Sequence, residues 1–322
     1  MTKLIRALLV LCLLVAVTPR AAAAEYPATP VRILVPFAAG SSTDGLARVV
    51  AHELQLALGG SFIVENRAGA SGMLAAEQVR RAEPDGHTLF VTTHTTQAAN
   101  PSLFKTLPYD PIKDFTAISR LTAGQFVLVV HPSIPAHGVD ELVALARAQP
   151  GKLSYATSNS TSLVAAEWLK ALRGLDIVGI SYKSNPSAMT DLVAGRVPLM
   201  FADQANAVPL IKSSKLRALA VTGQTRSQLV PDVPTMEQAG IAGFALNSWA
   251  ALYGPAGMPH PIVDKLHAAI AAALKKPDVL EKLTVGFGYE VIGSTPAALT
   301  DFNREEVDRW RRAITAAKIE PQ

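Results

Sequence analysis

Val31-Arg32-Ile33-Leu34-Val35-Pro36-Phe37-Ala38-Ala39-Gly40-Ser41-Ser42-Thr43-Asp44 joins a short apolar run, a proline stop and a loop of small hydroxylated residues. The run reads as a buried strand. A helix follows: between Thr43 and Leu58, the residues Leu46, Val50, Leu54 and Leu58 recur four apart and share one face. The loop between strand and helix can bind an anion. Gly40 permits a tight turn, Ser41, Ser42 and Thr43 bring hydroxyls, and the opening helix turns its free N–H groups and positive dipole end outward. Taken alone, the same residues also read as an ordinary N-cap, with Ser42 or Thr43 capping and Asp44 complementing the dipole.

The arrangement occurs again further along the chain. Leu153-Ser154-Tyr155-Ala156 runs into Thr157-Ser158-Asn159-Ser160-Thr161-Ser162, six consecutive polar residues of which five are hydroxylated, before an apolar helix over Leu163 to Leu172. Here too an N-cap is the plain alternative. Two such loops in two lobes favour a site, because helix N-termini facing each other across a cleft hold an anion from both sides. Two further strand ends occupy the same topological position. Asp203 follows the apolar run Leu199 to Ala202, and it either accepts a hydrogen bond from a ligand or caps the helix that starts near Gln204. His94, among Thr93, Thr95 and Thr96, reads equally as a ligand contact and as a structural histidine.

Outward from these loops, strand runs alternate with helical segments. Phe62 to Glu65, Thr88 to Thr92, Phe126 to Val130, Val178 to Ser181, Pro198 to Ala202, Leu216 to Val221 and Trp249 to Tyr253 read as strands. Pro261 to Lys275, Pro277 to Leu283 and Pro296 to Ala317 read as helices with proline near the first turn, where a missing N–H is harmless. The alternation predicts an α/β fold of mostly parallel strands, which binds ligands at the carboxyl ends of those strands. Pro132 to Gly138 and Gly254 to Pro261 read as turns beside crossover strands.

The first two dozen residues form a separate unit. Lys3 and Arg6 precede an apolar run from Ala7 to Val17, and Ala21 to Ala24 offer a small-residue cleavage site, the pattern of a secretory signal peptide over 1–24. At about 11 residues the apolar run is too short for a membrane anchor. Cleavage after Ala24 leaves 298 of the 322 residues and removes three basic residues and no acid, which takes the formal charge from +4 to +1. A near-neutral chain lacks the electrostatic footprint for nucleic acid. The one cysteine, Cys12, leaves with the signal, so disulfides, thiolate nucleophiles and cysteine-ligated metals are excluded. A mature length near 300 residues calls for two α/β lobes.

Signatures of catalysis are missing. No G-x-S-x-G, H-E-x-x-H or EF-hand spacing occurs, and the seven histidines include no i, i+4 pair. No cofactor and no metal site are expected, and the chain reads as a non-enzyme.

The stretches Tyr26 to Gly40, Glu65-Asn66-Arg67-Ala68-Gly69-Ala70-Ser71-Gly72, Pro84 to Leu89, Asn100 to Phe104 with Leu107 to Asp110, and Leu216 to Thr222 with Val233-Pro234-Thr235 resemble the tripartite tricarboxylate transporter substrate-binding proteins, or Bug family. The resemblance runs over nearly the whole mature chain. It implies a periplasmic receptor of the type II binding-protein fold: two α/β lobes joined by two crossovers, closing on a small carboxylate. The expected division is 25–125 with 246–322 as one lobe and 126–245 as the other. By position, the resemblance assigns ligand contacts to Phe37, Gly40, Ser41, Ser42, Thr43 and Asp44, to Ser158, Asn159, Ser160 and Thr161, and to Asp203; His94 joins them from its place at a strand end. It implies that backbone N–H groups, hydroxyls and waters hold the carboxylate. The expected partners are a small carboxylate, aliphatic or aromatic, and the membrane permease subunits of a tripartite transporter, with the receptor itself a monomer. The rival readings are a sensor subunit presenting ligand to a membrane kinase and a secreted serine hydrolase. Two departures stand out: Ser41 where relatives commonly have a second glycine, and no glycine in Thr157 to Ser162.

Overall fold

Every residue of Val31–Val35 except Arg32 is buried, as a strand covered on both faces requires. The computed structural model describes residues 26–322; the expected signal peptide lies outside them. In chain order the first elements are β1 (Val31–Val35), α1 (Ser42–Leu58), β2 (Phe62–Asn66), α2 (Met73–Arg80), β3 (Thr88–Thr93) and the short α3 (Asn100–Leu103). Then come β4 (Phe115–Val130), α4 (Val139–Ala148), β5 (Ser154–Thr157), α5 (Ser160–Arg173), β6 (Val178–Ser181), α6 (Asn185–Val193), β7 (Leu199–Asp203), α7 (Gln204–Lys212) and β8 (Arg217–Val221). The chain closes with β9 (Asn247–Pro255), α8 (His260–Ala273), α9 (Pro277–Glu281), β10 (Glu290–Val291) and α10 (Pro296–Ala316).

Two mixed sheets share one strand. In the first, β2, β1 and β3 run parallel, β9 lies antiparallel beside β3, and the first part of β4 pairs β9. In the second, β6, β5 and β7 run parallel, and the last part of β4 lies antiparallel between β7 and β8. The changeover is sharp: Gln125 pairs Asn247 of β9, and Phe126 pairs Asp203 of β7. These are the two lobes of the fold. The chain passes from one to the other along β4 and returns at the start of β9. Thr222 ties the junction: its hydroxyl accepts the Phe126 N–H at 2.9 Å, its own N–H bonds the Phe126 carbonyl at 2.9 Å, and its carbonyl receives the Leu246 N–H at 3.0 Å.

Strand β4 is sixteen residues long, not the Phe126 to Val130 read from the sequence. Its register against β9 slips between Ala117 and Ser119 and again between Arg120 and Thr122. Each bulge moves the alternation by one residue, so no period of two survives in the sequence. One apolar cluster packs α1 and α8 against β1 and includes Leu46, Leu54, Leu89, Leu252 and Leu266. A second fills the far lobe around Val127, Met200 and Val221. The largest is continuous between lobes, running from Leu34 and Phe90 through Trp249 and Trp310 to Val164 and Tyr155. Each large side chain there contributes roughly 1.5–3 kcal/mol by leaving water.

Candidate functional site

The first loop is held by its own side chains. Ser41 is the N-cap of α1, with extended backbone (φ −71°, ψ 157°) and its Oγ accepting the Asp44 N–H at 3.2 Å. The cap is therefore one residue earlier than Ser42 or Thr43. Gly40, at φ +79°, makes the turn into it. The Asp44 carboxylate is engaged within the protein. It accepts the Gly40 N–H at 3.0 Å, the Arg48 Nε–H at 3.1 Å and the Asn66 Nδ2–H at 3.0 Å, and Asn66 also bonds the Phe37 carbonyl at 3.0 Å. Burial alone would raise the Asp44 pKa, but these bonds and the Arg48 charge outweigh it and hold the carboxyl below its ordinary 3.8. The Ser41 N–H closes the turn onto the Ala38 carbonyl at 3.2 Å, and the Gly45 N–H returns to the Ser41 carbonyl at 3.0 Å. Helix geometry then leaves the N–H groups of Ser42 and Thr43 for something outside the chain.

The second loop repeats the plan with different residues. Asn159 caps α5 through its Oδ1, which accepts the Ser162 N–H at 2.9 Å. The Ser162 hydroxyl takes the N–H of Ser158 at 2.9 Å and of Asn159 at 3.2 Å, completing a capping box. Ser160, Thr161 and Ser162 belong to the helix, which starts three residues earlier than the apolar run indicated. Capping again leaves two N–H groups, those of Ser160 and Thr161.

The two hydroxyls at the start of α5 bind the other lobe. Ser160 Oγ meets Thr95 Oγ1 at 2.8 Å, and Thr161 Oγ1 meets His94 Nε2 at 2.6 Å. His94 Nδ1 accepts the Trp249 N–H at 3.3 Å, so Nε2 carries the proton and donates to Thr161. The ring stacks on Trp310 with centroids 4.7 Å apart and planes 8° from parallel. Burial pushes its pKa down to about 3, so the imidazole is neutral. His94 is a joint between lobes with both nitrogens occupied, which is the structural side of the alternative drawn from the sequence.

Asp203 does cap its helix, accepting the Asn206 N–H at 3.3 Å and Nδ2–H at 2.9 Å, and it also takes the Asn185 Nδ2–H at 2.6 Å. The Ser42 hydroxyl lies within hydrogen-bonding reach of Asp203 across the cleft. Burial, with no cation beside it, raises the Asp203 pKa despite these bonds.

Between the loops lies a cleft of about 600 Å³. Of the residues singled out in the sequence, Phe37, Ser41, Ser42, Thr43, His94, Ser158, Asn159, Ser160 and Asp203 line it; Gly40, Asp44 and Thr161 are not among its lining residues. Sequence reading missed Gln125 at the strand changeover, Trp249 on the floor, the Gly69 to Gly72 turn, the Ser181 to Asn185 loop and the Phe287-Gly288-Tyr289 segment. The Ser181 to Asn185 loop carried a signal, since β6 runs into Ser184, a capping serine, with Pro186 in the first turn. Phe287 to Tyr289 carried none: it reaches the cleft from far along the chain, and Gly288 (φ +71°) passes near the other lobe, where a Cβ would lie 2.7 Å from Leu229 Cδ1 and 3.0 Å from Gln204 Oε1.

Two α/β lobes closing over paired helix N-termini define a solute-binding protein. The chain matches the family model described as tripartite tricarboxylate transporter family receptor over residues 46–319. It is 32% identical to protein BugT of Bordetella pertussis over 324 residues, 99% of each chain. Among solved structures, Rpa4515 of R. palustris with adipate is similar at a TM-score of 0.89 and 33% identity, covering 92% of this chain and all of that one. MatC of Rhodopseudomonas palustris with bound malate follows at 0.85 and 35%, covering 90% of this chain and all of that one. The chain belongs to the tripartite tricarboxylate transporter receptor family, the Bug proteins.

Proposed function

We propose that this protein is a periplasmic receptor that captures a small carboxylate in the interlobe cleft and delivers it to the permease subunits of a tripartite transporter. One observation carries the reading. After capping, two helix N-termini from opposite lobes keep the N–H groups of Ser42, Thr43 and Ser160 in reserve at one cleft, with that of Thr161 one residue deeper in the helix. Neutral donors of this kind suit a carboxylate that must later be released. The adipate and malate held by its relatives support the class of ligand. The exchange of β4 partners between Gln125 and Phe126 supports the expected division into 25–125 with 246–322, and 126–245, of which residue 25 lies outside the described residues. Catalysis is disfavoured: the histidine at the cleft has both ring nitrogens engaged and has no free base to activate a neighbouring serine. The receptor acts as an exported monomer.

A thermal-shift series on the mature protein, refolded to strip carried-over ligand, tests this with adipate, malate, citrate, glutamate and benzoate. A ligand at a hundred times its dissociation constant adds ~2.7 kcal/mol to stability, a rise in Tm of a few degrees. Stabilisation by one of these carboxylates is the expected result. A folded protein whose Tm none of them moves would refute the carboxylate reading.

A further inference from the structure

The cleft lining contains two charged side chains among the described residues, buried Asp203 and exposed Lys183. We propose that Lys183 takes the second carboxylate of a dicarboxylate whose first is held by the helix N-termini, and so selects diacids over monoacids; this rests on the carboxylate-receptor reading. Its backbone is fixed on both sides. The Tyr182 N–H bonds the Thr157 carbonyl at 2.7 Å, which seats Lys183 directly beside the second anion loop. On the other side Ser184 caps α6, whose Pro186 comes within 3.9 Å of the space a side chain at Gly40 would fill, against the first loop. The Tyr182 to Pro186 segment therefore borders both loops that receive the first carboxylate.

Charge then decides where a second carboxylate goes. Lys183 is the one Lys or Arg among the described residues that line the cleft, and Asp191, the acid bonded to the neighbouring Tyr182, is occupied: it accepts from the Tyr182 hydroxyl at 2.9 Å and pairs with Arg196 at 2.6 Å. Lys183 is left at the lip with a flexible stem and a compact charge, able to follow diacids of different length.

The test compares matched acids by calorimetry on wild-type protein and Lys183→Met, with Lys183→Arg as control. Adipate is set against hexanoate, and succinate against butyrate. In the wild type the better diacid binds more tightly than its monoacid. Lys183→Met weakens that diacid by roughly tenfold, as loss of a charge-assisted contact implies, leaves the monoacid unchanged, and flattens the salt dependence of diacid binding. Lys183→Arg restores most of the difference. Equal weakening of both acids, or an unchanged diacid affinity in Lys183→Met, would overturn the role of Lys183 while leaving the receptor reading intact. Absence of binding by any of the four acids to folded wild type would remove both.

Discussion

Ser42 stands where the chemistry of the site can be separated from its fold. It is the first residue of α1, and Ser41 before it already has the extended backbone that a following proline demands. Proline is welcome at that helical position because its absent N–H has no intrahelical partner. Ser42→Pro therefore keeps the helix and deletes one N–H donor at the cleft. Its hydroxyl, which reaches Asp203, is lost as well, so Ser42→Ala is the comparison. We expect Ser42→Ala to bind within a few-fold of wild type and Ser42→Pro to lose roughly ten- to a hundredfold, the worth of a hydrogen bond to a charged group, with both melting near wild type. Equal affinities of the two variants would place the anion away from this N–H.

At the scale of elements, a close contact beside the site joins α1 to the Phe287 segment. A Cβ at Gly45 would lie 2.6 Å from the Phe287 ring, which stacks on Tyr289 with centroids 5.9 Å apart. In a free helix Gly→Ala stabilises by about 1 kcal/mol; against a ring that cannot retreat, overpacking costs about 1–3 kcal/mol. Gly45→Ala is thus expected to destabilise the wild type and to stabilise Phe287→Ala. Urea denaturation of the four proteins checks it, and the same sign in both backgrounds would mean that Phe287 yields freely.

Strands and helices with one uninterrupted period were legible in the sequence: β1, β3 and β7 by their apolar runs, and α1 by its four-residue spacing. The first two-thirds of β4 were not, because two bulges scramble its alternation. The two loops that open α1 and α5 at the cleft were legible because each places small hydroxylated residues between a strand and a helix. Which of their atoms are spent on capping was not, since that depends on one dihedral at Ser41 and on Asn66, 22 residues beyond Asp44 in the chain. The walls supplied by Trp249 and Phe287 are long-range contacts with no local pattern to betray them.

For the whole molecule, His94 links the stability of the two lobes to pH. Its folded pKa of about 3 lies below the ordinary 6.5. An unfolded chain therefore takes up a proton below pH 6.5 that the folded chain refuses. Its contribution is complete above 6.5 and falls as the pH drops toward 3, by about 1.4 kcal/mol per unit. Denaturation at pH 7.5 and 5.5 should show wild type losing more stability than His94→Gln by roughly that amount; equal losses would mean the imidazole accepts its proton in place.

In the proposed receptor, the grip on the anion is made of main-chain groups left over from capping. Almost any amino acid supplies a main-chain N–H, so substitutions along Ser42, Thr43, Ser160 and Thr161 alter the shape of the hold without abolishing it, proline excepted. Discrimination rests on other positions, at the lip and on the walls. A receptor built this way can change its diet by surface mutation while remaining a receptor at every step, a route by which one scaffold diversifies across many acids without passing through a non-binding intermediate.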